Sequence, residues 1–264
     1  MEKNNKIRIF NIFFDNYLLE EAVKILSAKG GLVVTVNVDF VIKLQKDFEF
    51  YKIVHNADFV LCDSQIIYFF SKLIKKPLKQ RVAGSELFPI LYYYNSQNPL
   101  FKVFLLGGDT QEIADKAKKR INNKVNRELV VDAYSPPFGF EKNEDECLKI
   151  IERINFSGAT VLAVGVGAPK QEKWIWKYKS MLPNVRLFLS LGATINMEAG
   201  VLKKAPRLIS KCGLEWFYRL LQEPKRLSKR YLIDDIRFFK LALEELIKIY
   251  RDPFEITNKG KHKG

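Results

Sequence analysis

One carboxylate stands out by its setting. Asp63 ends the apolar run Phe59-Val60-Leu61-Cys62 and is followed by Ser64-Gln65. Open α/β sheets carry their chemistry just past the carboxyl ends of strands, so an acid there is placed to work as a general base. The plainer alternative is that Asp63 caps the helix that follows. A second apolar run, 32–37, carries Thr35 and ends on Asn37. Polar side chains in that position cost stability unless something partners them.

Two more runs end in glycine, at Gly107-Gly108-Asp109 and at Gly165-Val166-Gly167-Ala168-Pro169-Lys170-Gln171-Glu172. A strand, a glycine turn and a helix start let backbone N–H groups meet a phosphate. Gly107 and Gly108 alone suit an ordinary tight turn equally well. They form neither GxGxxG nor GxxxxGK[ST], which disfavours a dinucleotide site or a nucleotide triphosphatase. The second loop is more specific. Gly165 and Gly167 permit close approach of a ligand, Pro169 stiffens the turn, Lys170 adds charge, and Gln171 opens a helix with its amide groups free. A helix start with incidental polar residues is the competing reading. Together the four strand ends suit one phosphate-bearing substrate.

The same residues say what the chemistry lacks. No DxD pair stands ready to hold a metal–nucleotide complex: Asp234-Asp235 lies far downstream, and Glu144 and Glu146 sit at a helix start. Cys62, Cys147 and Cys212 are scattered, as are His55 and His262, so no zinc spacing appears and free thiols fit a reducing cytosol. No metal and no cofactor is called for.

The elements that must position these groups follow from periodicity. Strands are expected at 7–14, 32–37, 59–62, 101–106, 129–133, 160–166 and 187–191. Helices are expected at 17–29, 40–56, 66–74, from about 86, at 110–124, at 145–155 and from 171. This alternation predicts an α/β fold, Rossmann-like in its layering, with a mainly parallel sheet and helices on both faces. The hydrophobic fraction of 47% and charged fraction of 28% are those of a folded water-soluble chain. The N-terminus lacks a signal-peptide core, and no run reaches the roughly 18 apolar residues of a spanning helix.

Charge sets the last quarter of the chain apart. Forty-four Lys and Arg against thirty Asp and Glu give +14, which points to an anionic partner or simply to solubility. Residues 200–264 hold an excess of eight of those charges. The division expected is therefore 1–199, an α/β catalytic core, and 200–264, a basic helical appendage ending in a disordered Lys/Gly tail. Within the appendage 214–221 is amphipathic. A second helix is expected from Pro224 towards Arg251, with Lys225, Arg226, Lys229 and Arg230 at helical spacing. Trp216, Phe217, Tyr218 and Tyr231 nearby suit an interfacial helix pair; an ordinary hairpin with a solvated basic face suits them equally.

Several of these stretches taken together resemble the WecG/TagA/CpsF glycosyltransferases (glycosyltransferase family 26). They are Thr35-x-Asn37, Asp63, Arg81-Val82-Ala83-Gly84, Gly107-Gly108, the run Gly167–Glu172, and Gly213-Leu214-Glu215-Trp216-x-x-Arg219-Leu220-x-x-Glu223-Pro224-x-Arg226-x-x-x-Arg230-Tyr231. The resemblance spans about 7–239. It implies a bacterial, inverting, metal-independent enzyme that moves a sugar, often N-acetylmannosamine, from a UDP donor to a sugar on undecaprenyl diphosphate. Such reactions serve teichoic acid, capsule or other surface polysaccharide synthesis. It implies an aspartate base at Asp63 and a basic appendage that docks on the membrane and helps complete the site. Where the family usually has Asp-Gly, Gly-x-x-Phe-Asp and Arg-Ala-Pro, this chain has Asp63-Ser64, Ala193-Thr194-Ile195-Asn196 and Lys204-Ala205-Pro206. Asn196 keeps hydrogen bonding near the nucleotide and removes a charge.

The expected roles are these. Asp63 is the base. Thr35 and Asn37 orient the acceptor or the leaving diphosphate. Arg81 and Gln171, with the amides of the loops at Gly107, Gly108, Gly167 and Pro169, and with Lys170 and Asn196, hold the UDP part. Lys203, Lys204, Arg207, Arg219, Arg226 and Arg230 meet lipid or acceptor phosphates. The partners expected are a UDP-sugar, a lipid-diphosphate-linked acceptor and an anionic membrane surface, with no nucleic acid and with a homo-oligomer left open. The place expected is cytoplasmic, peripheral on the inner face of the plasma membrane. The rival class is a basic binding module for anionic polymer or nucleic acid, without catalysis.

Overall fold

The structure is a computed structural model and describes residues 5–206, 208, 209, 212, 214–224 and 236–255. Six strands form one parallel sheet: β3 (Gly31–Val36), β4 (Phe59–Cys62), β5 (Val103–Gly107), β6 (Val130–Tyr134), β7 (Val161–Gly165) and β8 (Leu187–Ser190), in the order β4-β3-β8-β7-β5-β6. Their side chains alternate between two apolar layers. Leu32, Val34 and Val36 of β3 face one layer and Val33 the other, and Phe104 and Leu106 of β5 likewise oppose Leu105. One layer is packed by α2 (Val38–Leu44), α3 (Phe48–His55), α4 (Gln65–Leu73), α7 (Glu144–Ser157) and α8 (Lys170–Tyr178). The other is packed by α1 (Leu19–Lys29), α5 (Gly84–Tyr94), α6 (Gln111–Val125) and α9 (Thr194–Ala199). Strands buried on both faces read as unbroken apolar runs, which is why the sequence shows them so clearly.

Local rules set where the chain enters each helix. Asn37, Ser64, Thr110 and Asn143 each cap a helix by accepting a backbone N–H three residues on. Asp47 does the same for α3, and so divides the single helix expected at 40–56 into two. The strand expected at 7–14 is also two, β1 (Lys6–Ile9) and β2 (Ile12–Asp15), paired antiparallel about Phe10-Asn11. Phe10 takes a left-handed backbone, φ 55°. Its ring is held between Phe70, Phe238 and Tyr250 at centroid distances of 5.5–5.7 Å, contacts that offset the strain.

Beyond the core lie α10 (Glu215–Gln222) and α11 (Ile236–Leu246). The expected long second helix stops at Leu246 within the described residues, where Lys248 turns left-handed at φ 62°. The chain then returns to its own beginning. Asp252 accepts hydrogen bonds from Asn11 Nδ2 (3.1 Å) and the Tyr51 hydroxyl (3.0 Å), and the Tyr250 hydroxyl donates to Gln45 Oε1 (2.7 Å). Among the described residues no helix is long and apolar enough to cross a membrane.

Candidate active site

The carboxyl ends of β3, β4, β5, β7 and β8 open on one cleft of about 640 Å³. It is lined by Thr35, Asn37, Asp63, Gly108, Gly167, Lys170, Gln171, Asn196 and Arg219, nine of the residues expected from the sequence. Arg207, Arg226 and Arg230 lie outside the described residues. The remaining five do not line it, and Lys203 pairs through its backbone with the Gln222 side chain. Arg81 opens on a neighbouring cleft of about 710 Å³ with Glu86, Lys204 and Glu215. Pro169, whose peptide bond to Ala168 is cis, lines a groove beside α8. Gly107 sits inside the sheet: a Cβ there would come within 2.7 Å of the Gly165 carbonyl, so this glycine is needed for strand packing.

Asp63 is placed by a division of labour with its neighbour. Its backbone N–H donates to the Val36 carbonyl, continuing the β3–β4 ladder by one residue. Ser64, not Asp63, caps α4, through Ile67 N at 3.3 Å. Among the described residues the Asp63 carboxylate accepts no hydrogen bond and faces the cleft. Burial raises it most, to about 7; Arg81 pulls it down, Glu215 raises it, Arg219 pulls it down and Glu86 raises it. A carboxylate of that strength near neutral pH is suited to accept a proton.

The polar strand-end residues have partners. The Thr35 hydroxyl donates to the Ser190 carbonyl at 3.1 Å, tying β3 to β8. Asn37 Oδ1 accepts from Phe40 N at 3.1 Å while the residue borders the cleft.

Gln171 corrects an expectation. Its amide is not free for a ligand. Oε1 accepts from Gly167 N and Gly192 N, both at 3.2 Å, and Nε2 donates to Glu172 Oε1 at 2.7 Å. Gln171 therefore braces the loops after β7 and β8, and the Gly167 amide points at this brace instead of cradling a phosphate. Gly167 still opens on empty space, at φ +87° with nothing within 4 Å of where a Cβ would stand. Glu172 beneath is wholly buried, with Oε2 unpartnered among the described residues, and burial raises it to about 7.

Two cations have donors to spare. Lys170 has no carboxylate partner among the described residues and lies over the exposed Phe138 ring at 5.0 Å. Arg219 reaches Glu223 at 3.6 Å, and its buried Nε has no partner among the described residues. Both suit the spread charge of a phosphate or diphosphate.

Several residues of the site were not singled out from the sequence. Asp109, behind the glycine pair, accepts from Asn196 Nδ2 at 2.8 Å. Lys43 bonds Asp39 (2.8 Å) and the Ala168 carbonyl (3.0 Å), an i,i+4 pair that the helical spacing after Asn37 could have flagged. Glu215 and Glu223 stood within the quoted C-terminal motif without a role. Among the described residues no group of three or more His, Cys, Asp or Glu could hold a metal ion.

The sequence matches known proteins over most of its length. Residues 7–252 match the model of the glycosyl transferase WecG/TagA/CpsF family. A Bacillus spizizenii protein, N-acetylglucosaminyldiphosphoundecaprenol N-acetyl-beta-D-mannosaminyltransferase, is 31% identical over 201 residues, 75% of this chain and 74% of that one. With the family model matching residues 7–252, this chain belongs to the WecG/TagA/CpsF family of glycosyltransferases.

Proposed function

We propose that this protein transfers N-acetylmannosamine, or a related hexose or uronic acid, from a UDP donor to a sugar carried on undecaprenyl diphosphate, in the synthesis of teichoic acid, capsule or another surface polysaccharide. The observation that carries the reading is Asp63: a carboxylate facing the cleft, unbonded among the described residues and raised towards neutrality by burial.

In the proposed reaction the acceptor hydroxyl oxygen attacks the anomeric carbon of the donor. Its proton passes to Asp63. The bond from the anomeric carbon to the diphosphate oxygen breaks on the opposite side, so a single displacement inverts the configuration. UDP leaves with its electron pair, and Arg219 and Lys170 meet the developing charge. Thr35 and Asn37 border the path of the acceptor. The two cations are the groups that support a reaction without metal.

The appendage supplies the membrane end. Lys203, Lys204, Arg207, Arg226 and Arg230 would add about 1 kcal/mol each near an anionic surface. The protein then acts as a peripheral protein on the cytoplasmic face of the plasma membrane, where the lipid-linked acceptor is made available.

The test is a donor screen. Full-length protein is mixed with single UDP-sugars and a short-chain lipid-diphosphate sugar, with and without chelator, and UDP release and product configuration are read. Chelator-insensitive UDP release with an inverted product is expected. Absence of turnover with every UDP-hexose, UDP-hexosamine and UDP-uronic acid would remove the reading.

A further inference from the structure

The Arg81 guanidinium is nearly buried, 9% exposed, and is paired with two carboxylates and influenced by a third. Nη2 donates to Glu86 Oε1 at 2.7 Å, five residues on in the chain. Nη1 donates to Glu215 Oε2 at 2.5 Å, across 134 residues of chain. Asp63 is the third: the Val82 N–H donates to the Cys62 carbonyl at 2.8 Å, which sets the loop carrying Arg81 beside the end of β4, and the two side chains are coupled through charge without a hydrogen bond. Glu215 belongs to the first turn of α10, so this contact exists only when the appendage is seated. Other contacts seat the segment leading to α10. Lys204 Nζ donates to the Ser85 carbonyl at 2.6 Å, and the Gln222 side chain pairs with the backbone of Lys203 (2.9 and 3.1 Å).

A guanidinium has one charge to share. Paired directly with an aspartate it stabilises the ionised form and makes that aspartate a poor base. Here Nη2 and Nη1 of Arg81 are engaged by Glu86 and Glu215. We propose that Glu215 is a positioning residue: seated with α10, it engages the guanidinium that would otherwise pair with Asp63, and so leaves the Asp63 carboxylate free to take a proton from substrate. The idea rests on the transferase reading for its purpose, though not for its electrostatics.

Among the described residues the charged and titratable groups that face Asp63 are few. Arg81 comes from the loop before α5, Glu86 from α5, Glu215 and Arg219 from α10, and the Cys62 thiol from its own strand. Replacing Glu215 changes one of these and leaves the others in place. Glu215→Gln keeps a hydrogen-bond acceptor for Arg81 and removes the competing charge.

The experiment uses the full chain in two readouts. The first is an NMR titration of the carbon-13-labelled Asp63 carboxyl, in the wild type, Glu215→Gln and Glu215→Asp. Glu215→Gln is expected to lower the midpoint by about half to one pH unit, the scale of losing one nearby like charge. Glu215→Asp is expected to restore part of it. The second readout is the pH profile of kcat/KM. Its acid limb should move down by the same amount in Glu215→Gln, the plateau kcat should fall severalfold as the base weakens, and the KM for the UDP-sugar should hold. A merely structural Glu215 would lower activity at every pH and leave both midpoints alone, and that result overturns the proposal. An unmoved Asp63 midpoint in a folded, active Glu215→Gln protein sinks it while the transferase reading stands. A moved midpoint in a protein that turns over no UDP-sugar leaves the coupling and removes the transferase.

Discussion

Asn196 donates from Nδ2 to the Asp109 carboxylate at 2.8 Å, joining the first turn of α9 to the loop after β5 on the floor of the cleft. The family resemblance places an aspartate where Asn196 stands. Here Asp109 already supplies the negative charge, and the amide turns it into a hydrogen-bonded pair. Asn196→Asp should bring two carboxylates together beside the proposed diphosphate and weaken UDP-sugar binding about tenfold, a cost near 1.4 kcal/mol. Exchanging both residues, Asn196→Asp with Asp109→Asn, should recover most of it. Titration calorimetry with UDP reads the pair; a double variant no better than the single one would show that the two do not act as a unit.

Asp63→Asn should lower turnover by about 10²–10⁴-fold, the range for losing a general base. It should also stabilise the fold in alkaline solution. Asp63 holds its proton to about pH 7 in the folded chain and only to the ordinary carboxylate range when unfolded. Its contribution to stability is therefore full below about pH 4 and lost as pH rises through about 7. The gain from Asp63→Asn over wild type should thus be greater at pH 8 than at pH 5 in urea unfolding. Equal gains at both would mean that the carboxyl is not held protonated.

Gln171→Ala should free the loops after β7 and β8 together, because one amide holds Gly167 N and Gly192 N. The expected loss is about 1–3 kcal/mol, that of leaving buried polar groups unpaired, Glu172 among them. Donor KM should rise and hydrogen exchange should quicken at both loops. Quickening at one alone would disprove the shared brace.

Two glycines should respond differently to alanine. At Gly107 the new methyl meets the Gly165 carbonyl at 2.7 Å, so Gly107→Ala forces β5 from β7 and should give poorly folded protein. At Gly167 the space is open, and Gly167→Ala should cost only the left-handed backbone, about 1–2 kcal/mol, with its main effect on ligand binding. Thermal melts beside UDP affinity separate the two effects.

Charge reversal at Arg226 and Arg230 should weaken binding to anionic liposomes by about 1 kcal/mol per residue or more, and the effect should fade at high salt. Unchanged sedimentation with liposomes would refute docking through this segment.

Much of this site could be read from the chain because buried parallel strands announce themselves and their ends fall on polar or glycine residues. Asp63, Thr35, Asn37 and Gly167 were visible in that way. What stayed hidden depends on partners far away in sequence. Gln171 looks free until Gly192, 21 residues on, is seen to donate to it. Arg81 looks like a ligand residue until Glu215 arrives from α10. Asp47 split a helix whose apolar face ran on without a break, so periodicity could not register it. The Phe10-Asn11 turn carries no glycine; only ring packing from 60 and more residues away makes its backbone tolerable. The six residues of α9 were too short to show a helical period.

The return of the C-terminal segment to the N-terminal hairpin makes the chain a closed belt. Tyr250 and Asp252 buckle it at Phe10, Asn11 and Tyr51. A protease that nicks the chain just ahead of residue 250 would thus do more than trim an end. It would unfasten the first strand pair from behind, and fraying would begin at the opposite terminus from the cut.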